Sequence, residues 1–546
     1  MSTPAGQPLP TTSTSPRPHG TPPRGLATTP ASSTTRGRFG RMFRHVPVWS
    51  QDPQDLVDLG KAMVQELEDG AIDKPLGEVD DDENTATLDD GELRLPAGYT
   101  YFGQFVDHDI TFDPVSSLTR QSDPDALTNF RTPRFDLDNV YGRGPADEPF
   151  LYEHDGLHLA LGKDVSADAA FRGPDLPRTE TTQIAIIGDP RNDENLVVSQ
   201  LQSAMLRFHN HVVDRVAHDA RGSGLSKDDV FKLAQQEVRW HYQWVVVRDF
   251  LPRLVGQDVV DDVLRTEEYR VPGSTTVETL VPSFRFYHWQ EQPFMPVEFS
   301  VAAYRYGHSM VRPSYAINDR IPLPVPGVAD AHRIPIFSHD ADPLHNLNGF
   351  RTLPGKWGFQ WKYFLPGIDD AAGPVDDHLP QPSYKIDHVL ARPLSTLPDS
   401  VAGPETVVSG MPKELAQELA VRNLLRGMRL GIPCGEDVAR AMSITPLGPD
   451  EVFADGAVDV PDRTRRRVAG HTPLWFYVLR EADVLFDGAH LGPVGGRIVA
   501  EVLVGLLHGD PLSFLSVDPT WKPTLPSREP GRFTLSDLVN VAVHGA

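Results

Sequence analysis

The segment Gly103-Gln104-Phe105-Val106-Asp107-His108-Asp109 constrains this chain more than any other stretch. It crowds an amide, two carboxylates and an imidazole onto a predicted helix with an apolar background. At 3.6 residues per turn, Gln104 and His108 (i, i+4) share a face and Asp107 sits beside them. Asp109, rotated by about 100° from His108, points elsewhere. Burying such a cluster is costly unless something satisfies it, and that something is often a cofactor or a metal.

The surrounding pattern is helical. Asp55 to Gly70, Leu196 to Ala220, Lys227 to Leu254, Val297 to Val311, Pro412 to Leu430 and Gly496 to Leu507 all read as helices. Trp240, Trp244 and Phe250 are expected in the core. Strand signals are few and short, no internal repeat is visible, and Pro-rich connections such as Ile321 to Pro335 and Asp369 to Pro382 separate the helices. The pattern predicts a mainly α single domain with elaborate loops, and 546 residues suffice for a substantial core. Residues 1–45 are rich in Pro, Ser, Thr and Arg and are expected to form a disordered tail ahead of a domain at 46–546.

Composition excludes several functions. A net charge of −24 argues against nucleic acid as the main partner, since phosphate backbones select basic surfaces. No run of 18 apolar residues and no apolar N-terminal region occurs, so neither a membrane span nor a Sec-type signal is expected. The compartment is left as the cytoplasm or export without a recognisable Sec signal, and the oligomeric state is open. The single cysteine, Cys434 in Gly-Ile-Pro-Cys-Gly-Glu-Asp, forbids an intrachain disulfide and is expected in a core or loop position. The acidic run Glu78 to Glu83 lacks EF-hand spacing and reads as a solvated loop.

Two further segments carry chemistry. Gly188-Asp189-Pro190-Arg191-Asn192-Asp193-Glu194-Asn195 sets Arg191 and Glu194 three residues apart at a helix start. Tyr304-Arg305-Tyr306-Gly307-His308 places a glycine inside a helical pattern, where it costs stability unless a flat object must approach the backbone. Singly, each has an ordinary reading as an ion pair, a core histidine or a surface turn.

Together, in this order, these motifs resemble the animal-type haem peroxidase family, also called the peroxidase–cyclooxygenase superfamily, from about Tyr99 to Leu507. Arg-Asn-Leu-Leu-Arg-Gly, containing Asn423 and Arg426, and the helix beginning Leu491-Gly492-Pro493 extend the match. The resemblance implies haem b, with His308 as the proximal iron ligand and Asn423 accepting a hydrogen bond from its other ring nitrogen. His108 takes the distal position, where a neutral imidazole passes a proton between the oxygens of H2O2. Arg191 is the implied catalytic arginine, and Arg305 and Arg426 match arginines that pair with haem propionates. Asp107 and Glu194 match carboxylates that form ester bonds to haem methyls. Asn195 stands where one family member has a Met bonded to a haem vinyl, so no sulfonium link is expected. Asp109, with Thr132, Asp136, Asp138 and the carbonyl of Arg134, matches a Ca2+ site. The family often has Ser where Asp138 stands, so the extra charge should favour the ion. His209 and His211 match a family segment with a structural role.

The implied function is a peroxidase that makes a ferryl intermediate from H2O2 and oxidises a small donor, a halide, thiocyanate or a phenol. Gln104 matches a residue near the halide site. The runner-up is a fatty-acid dioxygenase of the cyclooxygenase kind. That reaction uses a tyrosine three positions before the proximal histidine. Arg305 stands there, flanked by Tyr304 and Tyr306 with opposite facing.

Overall fold

The computed structural model describes residues 37–64, 95–112, 128–165, 173–270, 276–290, 292–319, 333–355, 357–368, 380–402, 412–454 and 458–545. The fold is predominantly helical, as the sequence predicts. The longer helices are α1 (Pro53–Ala62), α2 (Ala97–Ile110), α3 (Leu196–Asp219), α4 (Lys227–Val245), α5 (Leu419–Arg429), α6 (Leu474–Phe486), α7 (Pro493–Gly509) and α8 (Leu535–His544). Helix α3 is central and packs against α2, α4 and α8. Its start is fixed locally: the Asn195 side chain accepts a hydrogen bond from the Val198 amide at 3.0 Å, an N-cap that satisfies one of the orphan donors of the first turn. Helix α4 opens on a Ser226/Asp229 capping box. It runs through a five-residue π segment, Val246–Phe250, into Leu251–Val255.

The core is one contiguous apolar cluster. Phe102 and Phe105 of α2 meet Tyr242 of α4 edge-on, with ring centroids 6.0 and 6.1 Å apart. Trp240, Trp244 and Phe250 are buried as expected. Among the described residues no helix is long and apolar enough to cross a membrane.

Several elements differ from the sequence expectation. Gly37–His45, assigned to the tail, belong to the fold. Gly37–Gly40 form a strand paired with Thr128–Asn129 and Met295–Pro296, Phe39 and Phe43 are buried, and Glu298 accepts the amides of Met42 and Phe43. The basic, acid-free composition of this stretch hides two apolar anchors. Helix α1 ends at Ala62, and Gly70, the acidic run Glu78 to Glu83 and most of both Pro-rich connections lie outside the described residues. Pro412 to Leu430 is broken at Glu418, whose extended backbone separates Lys413–Gln417 from α5. Leu264–Arg270 and Thr276–Pro282 pair as an antiparallel hairpin. Much of this ribbon is solvent-facing, so it lacks the apolar alternation by which strands are recognised. Helix α6 was not foreseen because Leu474 to Leu479 are all buried, leaving no polar face to mark a period.

The largest departure is Val297 to Val311. It is not one helix but a single turn, Val297–Ser300, a break at Ala302 and a 3₁₀ helix, Ala303–His308. With three residues per turn, Arg305 and His308 (i, i+3) are eclipsed and share a face. An α-helix would have set them about 60° apart. This winding positions the site.

Candidate active site

A cavity of about 550 Å³ lies between α2 on one side and the 3₁₀ segment with α5 on the other. Its size falls within the roughly 300–1,000 Å³ range of small-molecule sites. From α2 it receives Gln104, Asp107 and His108; from the loop before α3, Arg191 and Glu194; from the 3₁₀ segment, Arg305, Gly307 and His308; from α5, Asn423 and Arg426. All nine side chains singled out in the sequence for the haem site therefore meet around one space, with Gly307 in the wall. Asp109 leaves this set, as its helical rotation requires, and is buried on another face of α2.

His108 is held by a relay that the sequence did not reveal. The Asn192 Oδ1 lies 2.7 Å from His108 Nδ1, Asn192 Nδ2 donates to Gln202 Oε1 at 2.8 Å, and Gln202 Nε2 donates to the Asn139 carbonyl at 3.3 Å. A carbonyl can only accept, so it fixes the Gln202 amide, which fixes that of Asn192. His108 Nδ1 must then carry the proton, leaving the Nε2 lone pair as a base. Burial, reinforced by the Arg191 charge, pushes the imidazole pKa down to about 3, so it stays neutral at ordinary pH.

His308 is the counterpart across the cavity. Its pKa is likewise pushed down to about 3 by burial, with Arg305 and Arg422 adding to the effect. Asn423 Nδ2 lies 2.8 Å from His308 Nδ1. As oriented, the amide donates to Nδ1, whereas the expected partnership has the amide oxygen accepting; a half-turn of the amide exchanges the two. With the amide oxygen accepting, Nδ1 carries the proton and Nε2 presents the lone pair that a metal needs. The ring packs edge-on to Trp475 at 6.3 Å, and Trp475 Nε1 donates to the Arg305 carbonyl at 3.1 Å, bracing the 3₁₀ turn from α6. A methyl group added at Gly307 would meet nothing within 4 Å, so the cavity is open beside this glycine and His308.

Each polar residue of the 188–195 motif has its own partner. Asp189 is fully buried and accepts from Arg191 Nε at 3.1 Å and Nη2 at 2.8 Å, and from Arg131 Nε at 3.0 Å. Burial opposes its ionisation, but Arg131 and Arg191 outweigh that and hold its carboxyl below the usual carboxylate range. Arg191 also donates to the His108 carbonyl at 3.0 Å and lies over the Phe112 ring at 4.4 Å. Arg178 grips Asp193 with two bonds, 2.7 and 2.8 Å. Gln104 links the remaining pair: its Nε2 donates to Glu194 Oε2 at 3.1 Å, and its Oε1 accepts from Asn195 Nδ2 at 3.2 Å. Burial raises the Glu194 pKa to about 7 and raises that of Asp107 despite the nearby Arg305 and Arg191 charges. The expected opposite facing of Tyr304 and Tyr306 does not hold. Their rings meet at 5.6 Å and both line the cavity, because the segment winds as 3₁₀. Arg422, on α5 beside Asn423, is a further lining cation that the sequence reading did not single out.

The second constellation forms as well. Carboxylate oxygens of Asp109, Asp136 and Asp138 all lie within 4.8 Å of one another. Both oxygens of Asp109, with Oδ1 of Asp136 and of Asp138, are buried without a hydrogen-bond partner. Burial first, then the Asp136 and Asp138 charges, raises the Asp109 pKa well above the carboxylate range. Orphaned hard oxygens of this kind fit a divalent cation. Thr132 Oγ1 donates to Asp136 Oδ2 at 2.7 Å, and the Arg134 guanidinium points away, 3.7 Å from Asp510. His209 takes its expected structural role, with Nε2 donating to the Leu157 carbonyl at 2.9 Å and Nδ1 3.0 Å from the Tyr141 hydroxyl. Cys434 is buried just ahead of a short helix.

Residues 117–333 match the family model described as Animal haem peroxidase, a stretch containing Arg191, Glu194, His308 and the 132–138 loop. Thyroid peroxidase of Mus musculus is 25% identical over 220 residues, 38% of this chain and 21% of that protein. Peroxidasin of Drosophila melanogaster is 22% identical over 378 residues, 66% of this chain and 21% of that protein. The chain thus spans about a fifth of the length of these curated relatives. In fold, it is similar to peroxidase A from Dictyostelium discoideum (TM-score 0.58, 15% identity, 92% of each chain). It is also similar to a fatty acid alpha-dioxygenase from Oryza sativa (TM-score 0.53, 15% identity, 87% of this chain and 77% of that one). Residues 117–333 of this chain thus match the Animal haem peroxidase family model, and its fold is similar to that of a peroxidase and of fatty acid alpha-dioxygenases.

Proposed function

We propose that this protein is a haem-dependent peroxidase that reduces hydrogen peroxide and oxidises a small donor, a halide, thiocyanate or a phenol. The observation that carries the reading is the pair of buried histidines, His108 and His308, lining one cavity with each Nδ1 engaged by an asparagine. The residues fit haem. The open space at Gly307 leaves room for a flat ring, His308 Nε2 would ligate the iron, and Arg305 and Arg426 would meet the propionates. Bound haem would supply the redox-active iron that peroxide cleavage requires.

The chain's own residues then handle protons and charge. His108 Nε2 accepts the proton of one peroxide oxygen and returns it to the other; its low pKa keeps the lone pair free at ordinary pH and favours the return step. Arg191 supplies a permanent charge to the oxygen that leaves. Gln104 borders the donor side and orders Glu194. Asp107 and Glu194, both lining the cavity, would form ester bonds to haem methyls. The acid cluster of Asp109, Asp136 and Asp138, with Thr132 and the carbonyl of Arg134, would hold Ca2+ and brace the helix carrying His108.

An absorption spectrum of the haem-loaded chain tests this reading, before and after H2O2 and with bromide, iodide, thiocyanate and a phenol as donors. A Soret band lost in His308→Ala, and peroxide-driven changes reversed by one donor, are expected. Acid–acetone extraction after peroxide treatment should leave haem on the protein. No Soret band after loading with ample haem would refute the haem site. Complete extraction would refute the ester links alone.

A second reading, fatty-acid dioxygenation, draws on Tyr304 and Tyr306 meeting in the cavity wall. Against it stand Arg305, three positions before His308, and the carboxylates Asp107 and Glu194 in the cavity. Oxygen uptake with an unsaturated fatty acid would favour it.

A further inference from the structure

The acid cluster and the cavity are joined through one side chain, Arg131. Its Nη1 lies 3.2 Å from Asp138 Oδ1, an ion pair that leaves this oxygen without a hydrogen bond. Its Nε donates to Asp189 Oδ2 at 3.0 Å, and its Nη2 reaches both Asp189 and the Gly188 carbonyl. Asp189 in turn holds Arg191 through Nε and Nη2. Asp138, Arg131, Asp189 and Arg191 therefore form a row of alternating charge running from the acid cluster to the cavity wall. Asp189 is fully buried and the Arg131 side chain nearly so, so solvent screens the row weakly. Neighbours in such a row attract and next neighbours repel, so a charge placed at one end is felt at the other.

We propose that Arg131 is a positioning residue that couples cation occupancy of the acid cluster to the placement of Arg191. A divalent cation beside Asp138 competes with Arg131 for that carboxylate and repels the guanidinium. Arg131 then leans on Asp189, whose hold on Arg191 loosens, and the Arg191 guanidinium turns to an anion in the cavity. The extra negative charge at Asp138 is thus offset in the cation-free protein by Arg131. This inference rests on the cation site proposed above.

The test measures calcium binding to the full chain by isothermal titration calorimetry. In parallel, fluoride binding to the haem-loaded chain is read by absorption with and without calcium. In the native chain calcium tightens fluoride binding, and by linkage fluoride tightens calcium binding by the same factor, within the roughly 5–150-fold range of such couplings. In Arg131→Gln the competing charge is gone. Calcium should bind about ten-fold more tightly, while the fluoride coupling falls to about one. Arg131→Lys keeps the charge without the planar fork, so it should keep the native calcium affinity and lose part of the coupling. Calcium and fluoride affinities that fall together in Arg131→Gln would mark a structural brace and overturn the proposal. Unchanged coupling would also overturn it, and Arg131→Lys decides by the same criterion if the glutamine variant does not fold. A native chain that binds no calcium removes the cation site itself, whereas calcium binding with native coupling in both variants removes only the role of Arg131.

Discussion

At the scale of single residues, the proton on His108 is placed by groups far from it in sequence. Asn192 is 84 positions away, and Gln202 and Asn139 act through Asn192. Asn192→Leu should therefore slow the reaction with peroxide, by up to about the 10²–10⁴-fold that positioned acid–base groups contribute. Asn192→Asp keeps an acceptor but adds a negative charge, which favours the imidazolium. Its acid limb should move up from about pH 3, and more of the rate should survive. Stopped-flow rates across pH check both, and equal rates in the native chain and Asn192→Leu would dismiss the relay. His108, Arg191, His308 and Asn423 were legible in the sequence because each sits in a compact motif. Asn192 stands in one of those motifs too, yet nothing in its spacing signals a partner on another helix. Arg131 borders the 132–138 loop and Gln202 lies within a long helix, and the spacing of neither signals a partner at the site.

At the scale of elements, the long helices with one apolar face were readable, and the 3₁₀ turn at Ala303–His308 was not. A six-residue turn offers too few positions for a period to declare itself, and its tight winding is imposed by neighbours such as Trp475 on α6. Two helices also carry buried neutral histidines that bear on stability. His209 on α3 and His241 on α4 have their pKa values pushed down to about 4 by burial. Unfolded, each would titrate near 6.5. Between those values the unfolded chain binds more protons, so stability is lost as pH falls from about 6.5 toward 4. The slope is up to about 1.4 kcal/mol per pH unit for each histidine. Glu481, raised to about 7 by burial, acts in the opposite sense over pH 7 to 4.5. The clean readout is therefore a difference. Urea denaturation of His241→Phe should show a stability–pH curve flatter than the native one by about 1.4 kcal/mol per unit between pH 6 and 5. Parallel curves would mean that His241 titrates normally in the folded state.

At the scale of the whole molecule, the site draws on elements from α2 at residue 97 to α5 at residue 429, so it exists only when the whole fold is closed. The cation cluster ties α2 to the 132–138 loop, and Arg134 extends that loop toward Asp510 beyond α7. Chelating calcium should accordingly lower Tm and slow the peroxide reaction. At a calcium concentration 100 times Kd, the ion contributes about 2.7 kcal/mol to stability. A Tm and a peroxide rate both indifferent to chelation would rule out this coupling. The mainly helical class was evident from periodicity, but the start of the domain was not, because Phe39 and Phe43 are two anchors in a stretch whose composition otherwise reads as tail. The relay behind His108 has a last consequence. It ends on a backbone carbonyl that belongs to the protein rather than to any ligand, so the imidazole is oriented when the chain folds. The entropy of aiming the base is then spent once, at folding, and each peroxide molecule meets a base already aimed.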